Sequence, residues 1–132
     1  YDGYRFLLVE DNEINQEIAL AILEGLGAAV DTASNGEQGV QAFMQKDYDL
    51  ILMDVRMPVM DGLEAVKLIR SSGKHDAGTV PIVAMTANAM REDRESSKEA
   101  GMNGHIAKPI DMAELKSALY EQLHGRQGTG AN

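Results

Sequence analysis

Short, almost wholly apolar runs alternate along this chain with longer stretches whose apolar positions recur at helical spacing. Residues 5–10 read as a first strand. Residues 14–26 read as a first helix, closed by Gly27 where the chain must turn left-handed. Strand 28–33 follows, then helix 35–46, with Asn35 and Gln38 as a capping pair. A third strand spans 49–54 and a third helix 62–71. The fourth strand is expected over 79–85 and the fourth helix over 88–100, ended by Gly101. The fifth pair is strand 105–107 and helix 112–123, with Asp111 as N-cap and Glu114 three residues on. Residues 1–4 read as an N-terminal linker, 5–124 as one folded domain, and 125–132 as a Gly-rich flexible tail.

Strand–helix alternation with short links predicts an α/β fold on a parallel sheet. Polarity then orders the strands. Phe6–Val9, Leu50–Met53 and Ile82–Met85 carry no polar residue, as strands covered on both faces require. The second strand carries Asp31 and Thr32, and the fifth is short and carries His105, so these two belong at the edges. The doubly wound order 2-1-3-4-5 satisfies both conditions, and it places ligands beyond the carboxyl ends of strands 1 and 3.

Composition narrows the partners. A formal charge of −9 over 132 residues repels phosphate backbones and anionic lipid, so neither nucleic acid nor direct membrane contact is expected. There is no long apolar span, and the start Tyr1-Asp2-Gly3-Tyr4-Arg5 lacks the apolar centre of a signal peptide. The first residue is not Met, which suggests a piece of a longer protein or a processed form. With no Cys, any metal site must be built from other ligands.

Several chemistry-bearing side chains fall at the predicted strand ends: Glu10 and Asp11 after the first, Asp54 after the third, Thr86 after the fourth, Lys108 after the fifth. Three carboxylates in one place repel one another unless a cation intervenes. Oxygen ligands without His or Cys favour a hard ion, Mg²⁺ above all. A nucleophilic carboxylate, a metal, an ammonium and a hydroxyl donor are the parts that in-line phosphoryl transfer needs. Each residue alone has a plainer reading. Asp54 fits a solvated strand end, Glu10 and Asp11 fit a helix N-terminus, Thr86 fits an N-cap, and Lys108 fits an ordinary surface lysine.

Four ordered stretches then fit one family: Leu7-Leu8-Val9-Glu10-Asp11-Asn12, the run from Leu50 to Gly62 with its Met53-Asp54, Met57-Pro58 and Met60-Asp61-Gly62, then Ala84-Met85-Thr86-Ala87, and Gly104-His105-Ile106-Ala107-Lys108-Pro109. The chain closely resembles the receiver (response-regulator) domain of two-component signalling, from about Arg5 to Leu123. The resemblance implies a flavodoxin-like (βα)5 fold in which Asp54 accepts a phosphoryl group from phosphohistidine. It implies that Asp11 and Asp54 bind Mg²⁺ directly, with the Arg56 backbone carbonyl as third ligand and Glu10 acting through water. Thr86, the Ala87 backbone and Lys108 would meet the phosphoryl group, and Pro109 would follow a cis bond. His105 stands where the family keeps a switching aromatic, more often Tyr or Phe. The fourth helix, short of apolar anchors, suits a moving element.

The first helix bears on the kind of receiver. On a wheel, Ile18, Ala19, Ile22, Leu23 and Leu26 form the inward arc, with Ile14 at its edge. This apolar surface is either a broad core stripe or a docking face including Ile14, Asn15 and Ile18. The run from Glu10 to Gln16 resembles receivers of hybrid sensor histidine kinases, which exchange phosphate with a histidine phosphotransfer domain. The expected partners are thus a histidine kinase or such a domain, and the expected location is cytoplasmic, with or without a membrane-anchored parent kinase. The alternative is a stand-alone single-domain regulator, and oligomeric state stays open. An aspartate-nucleophile phosphohydrolase would need an acid two residues after Asp54, where this chain has Arg56. The isolated domain is therefore not expected to be an enzyme beyond its own phosphorylation and dephosphorylation.

Overall fold

The computed structural model describes residues 1–55, 57, 59–86, 91–108 and 110–125, with backbone alone for 91–94 and 124–125. The elements run β1 Arg5–Val9, α1 Glu13–Gly25, β2 Ala29–Ala33, α2 Gly36–Gln45, β3 Leu50–Asp54, α3 Gly62–Arg70, β4 Ile82–Thr86, α4 Arg91–Ala100, β5 Gly104–Ala107 and α5 Met112–Tyr120, closed by a π-helical turn, Glu121–Gly125. The strands are all parallel, in the order β2-β1-β3-β4-β5. The predicted doubly wound topology is the one observed, with β2 and β5 at the edges.

Alternation along the strands builds two cores. Leu7, Val9, Ile51, Met53, Ile82 and Ala84 face α2, α3 and the end of α4, where Phe43, Val66, Ile69 and Met102 cover them. Phe6, Leu8, Leu50, Leu52, Val83, Met85 and Ile106 face α1 and α5, where Ala19, Leu23, Leu115 and Leu119 cover them. Each fully buried large side chain contributes about 1.5–3 kcal/mol relative to exposure. Tyr1 and Tyr4, in the segment read as a linker, pack edge-on to each other and lie against Phe6, with ring centroids 5.3–6.1 Å apart.

Local chemistry sets the boundaries. Asn12, Asn35, Asp61 and Asp111 each cap a helix by accepting the N–H three residues on. Gly27 and Gly101, with φ of 93° and 113°, end α1 and α4 in Schellman turns. Two expectations need correcting. The fourth strand begins at Ile82 and not at residue 79, because the Asp76 carbonyl accepts the N–H groups of Thr79 and Val80 and curls 76–80 into turns. On α1, Ile18 is not inward: it is 43% exposed, while Ala19 and Leu23 are fully buried and Leu20, Ile22 and Leu26 pack at the core margin. The buried stripe is thus rotated toward Leu20.

Candidate phosphoacceptor site

Parity places the central side chains. Glu10 continues the series Phe6, Leu8. Asp54 continues Leu50, Leu52, and Lys108 continues Ile106, so all three share the α1/α5 side of the sheet. Leu8 pairs with Leu52 in the β1–β3 register, which leaves Glu10 beside Asp54 where both strands end. β5 ends in register with β4, and the Lys108 N–H donates to the Thr86 carbonyl at 2.8 Å.

The Lys108 ammonium donates to Asp54 Oδ2 at 2.7 Å and to Glu10 Oε1 and Oε2 at 3.2 and 3.0 Å. Glu10 and Asp54 are almost wholly buried, and the Lys108 side chain is 16% exposed. Carboxylate oxygens of Glu10, Asp11 and Asp54 lie within 4.8 Å of one another. One ammonium therefore serves two buried acids, with a third acid, Asp11, at the exposed rim.

Electrostatics follow from that count. Burial first, and then the Glu10 carboxylate, push the Asp54 carboxyl up to about 6, against the opposing pull of Lys108. Burial and the facing Asp54 also raise Asp11. Burial alone would lower the Lys108 ammonium, but its bonds to Asp54 and Glu10 raise it, so it stays charged. A second acidic group, Asp47 with His75 and Asp76, differs in kind. Lys74 already sits in it, with Nζ 3.2 Å from Asp47 and 3.6 Å from Asp76.

The loop after Asp54 is held close to the strand. The Gly62 N–H donates to the Val55 carbonyl at 2.9 Å, and a Cβ at Gly62 would run into the Asp54 carbonyl. The Gly36 N–H donates to the Met60 carbonyl at 3.1 Å, tying the loop to the start of α2. Val59 takes a left-handed φ of 70° in this loop. Behind the acids, the Gln16 carboxamide on α1 donates to the Glu10 carbonyl at 3.0 Å and fixes the strand end that carries them.

Of the residues singled out in the sequence, Glu10, Asp11, Asp54 and Lys108 come together. Thr86 is buried at the neighbouring strand end, in register with Ala107. His105 pairs with Ala84 lower on the sheet and lines a cleft of about 510 Å³ with Ser97, Met102 and Gln122. Ile14 (67% exposed) and Ile18 stand on the open face of α1. The Arg56 carbonyl, the Ala87 backbone and Pro109 lie outside the described residues. The direct bond between Lys108 and Glu10, the Gln16 bridge, and the bond that the Ala107 N–H donates to Glu114 were not anticipated. The acid three residues after an N-cap signalled a capping box, not a bond to Ala107.

The chain is similar to known proteins along nearly its whole length. Residues 6–120 match the family described as response regulator receiver domain. Among curated proteins, it is 38% identical over 90% of its length to "Probable histidine kinase 1" of Oryza sativa subsp. indica. It is 43% identical over 87% to "Two-component system protein A" of Emericella nidulans. The matches cover only 15% and 17% of those relatives, so the chain spans less than a fifth of their length. Among solved structures, the receiver domain of a Pseudomonas aeruginosa PAO1 sensor histidine kinase has a TM-score of 0.85 at 43% identity, covering 92% of this chain and 98% of that one. A magnesium ion is coordinated in its active-site cleft. The receiver domain of a Saccharomyces cerevisiae response regulator, co-crystallised with its histidine phosphotransfer protein, has a TM-score of 0.87 at 30% identity, covering 96% of this chain and 92% of that one. Fold, strand-end acids and sequence agree: this chain belongs to the response regulator receiver domain family of two-component signalling.

Proposed function

We propose that this domain is a phosphoacceptor in a phosphorelay, with Asp54 receiving a phosphoryl group from a phosphohistidine. The observation that carries the reading is the buried Asp54 carboxylate bonded to Lys108 at 2.7 Å, with Glu10 and Asp11 oxygens gathered beside it. In the transfer, an Asp54 carboxylate oxygen forms the new bond to phosphorus as the bond to the donor imidazole nitrogen breaks, and the imidazole keeps the electron pair. Lys108 already faces the Asp54 oxygen and stays charged, so it meets the anionic oxygens as they arrive.

The oxygen donors of Glu10, Asp11 and Asp54 fit Mg²⁺: Asp11 and Asp54 would hold it through their side chains and Glu10 through water, with the Arg56 carbonyl as the further ligand that the family resemblance implies. When bound, the ion would relieve the repulsion among the acids and offset the charge of the incoming phosphoryl oxygens. In this reading Thr86 and the Ala87 backbone would take the phosphoryl-binding role and His105 the switching role. The domain modifies itself and turns over no separate substrate: the residue two after Asp54 is Arg56, not an acid.

The relatives support a place within a hybrid histidine kinase, of which this chain would be a small part. The exposed Ile14 and Ile18, with Asn15, support docking of a histidine phosphotransfer domain on α1. Among the described residues, no helix is long and apolar enough to cross a membrane, in keeping with a receiver facing the cytoplasm.

Incubation with acetyl phosphate, followed by intact mass, tests the acceptor. The expected result is Mg²⁺-dependent addition of one phosphoryl group, labile in base and absent in Asp54→Asn. Continuous phosphate release from unrelated phosphoesters, with no adduct on the protein, would favour the hydrolase instead.

A further inference from the structure

β5 is an edge strand, and its N–H groups point alternately toward β4 and away from the sheet. The Lys108 N–H faces inward and donates to Thr86. The Ala107 N–H has no strand on its own side, and Glu114 Oε1 accepts it at 2.7 Å. Glu114 lies in the first turn of α5, where its own N–H donates to the capping Asp111 at 3.0 Å. In an ordinary capping box its carboxylate would return to the Asp111 N–H. Here it reaches outside the helix, to the residue immediately before Lys108. Two successive peptides leading into the lysine are thereby held on opposite sides, Ala107–Lys108 by the Thr86 carbonyl on β4 and Ile106–Ala107 by the carboxylate on α5.

We infer that Glu114 is a positioning residue for phosphoryl transfer: through the Ala107 N–H it fixes the strand end from which Lys108 reaches Asp54. The inference rests on the phosphoacceptor reading above. Lys108 spans the distance to both Asp54 and Glu10 from a single backbone position, so a displaced Ala107–Lys108 peptide moves the ammonium off one acid or the other. An acceptor is what the site needs, so Gln serves where Ala does not. A charge-assisted bond to a backbone N–H is among the stronger neutral-to-ion contacts, and its loss at a strand end is expressed as displacement.

The test is the rate of phosphorylation by acetyl phosphate at saturating Mg²⁺, well below the melting temperature of every variant. Glu114→Ala is expected to slow uptake roughly five- to tenfold, a loss of one positioning hydrogen bond. Glu114→Gln should keep at least about half the wild-type rate. In a Lys108→Ala background, Glu114→Ala should cost no further rate, because its effect passes through the lysine. The Ala107 amide proton should move upfield in Glu114→Ala and stay near its wild-type position in Glu114→Gln. An unchanged rate in Glu114→Ala, equal losses in Ala and Gln, or the same loss with and without Lys108 would each overturn the inference. A wild-type chain that takes up no phosphoryl group overturns the acceptor reading itself, and with it this role, before any variant is compared.

Discussion

Asp54 is a residue whose surroundings oppose its own charge. Burial and Glu10 raise it from an ordinary 3.8 to about 6, even with Lys108 in contact. Between those two values the metal-free folded chain therefore holds a proton on Asp54 that the unfolded chain has already released. Stability falls as pH rises from about 4 to about 6, and the penalty is complete above that window. Asp31 acts in the opposite sense. The Tyr48 hydroxyl lowers its carboxyl, and that contribution is present above the usual carboxylate range and lost in acid. Comparing wild type with Asp54→Asn cancels Asp31. Without divalent cations, the Asn variant is expected to melt higher at pH 7.5, with the gap closing by about pH 4. A constant gap across the titration would count against the buried charge as its cause. Val59 presents a second local cost. A β-branched residue at a φ of 70° is strained, and its side chain is exposed, so it gains little from packing. Val59→Gly should raise stability by about 1 kcal/mol in a urea titration.

At the level of elements, the C-terminal end of α4 is anchored. Its described side chains bury only Ser97 and Ala100, but the turn after it is clamped. Arg70, at the end of α3, donates from Nε and Nη2 to the Gly101 carbonyl at 3.0 and 2.7 Å, and from Nη1 to the carbonyls of Ala77 and Val80. Nη2 also meets Asn103 Oδ1 at 2.7 Å, and that oxygen accepts the Ile82 N–H as well. One guanidinium thus ties α3, the entry to β4 and the exit of α4. Arg70→Met leaves several carbonyls without a donor and should cost roughly 2–4 kcal/mol. Hydrogen exchange should speed up first at residues 101–103, while the β1 amides keep their protection. None of this was legible in the sequence. Arg70 falls where an amphipathic helix ordinarily keeps a surface charge, and its partners lie up to 33 positions away. The apolar strands and the Asn and Asp caps were legible, because each is decided within a few residues. The fourth strand was overextended for a similar reason. Thr79 and Val80 have the composition of strand, and only the Asp76 carbonyl turns them out of it.

Across the whole molecule, the proposed docking face and the acid cluster lie on neighbouring ground. Asp54 and Asp11 stand at the end of the sheet from which α1 departs, and Ile14 and Ile18 are exposed on that helix. A phosphohistidine presented by a partner resting on α1 would therefore arrive at the acids. Ile14→Asp should slow transfer from a phosphorylated histidine phosphotransfer domain by at least roughly tenfold, as the loss of a central apolar contact would. Its uptake from acetyl phosphate should stay at the wild-type rate. Equal loss with both donors would mean that the substitution disturbs the acids and not the docking. The direction of the α1 stripe was misread in the sequence because a wheel weighs hydrophobicity alone. Ile18 is as apolar as Ile22, and only the packed sheet distinguishes the residue that is covered from the one left open.

The bond between Lys108 and Glu10 joins residues 98 positions apart. A contact of that span costs loop-closure entropy before it can form. A nascent chain that has emerged only through β4 carries Glu10, Asp11 and Asp54 with no ammonium among them, and those acids oppose its collapse. The last strand therefore supplies the counter-charge as well as the sheet edge, and on the phosphoacceptor reading a chain without it would meet the phosphoryl group with no ammonium beside Asp54.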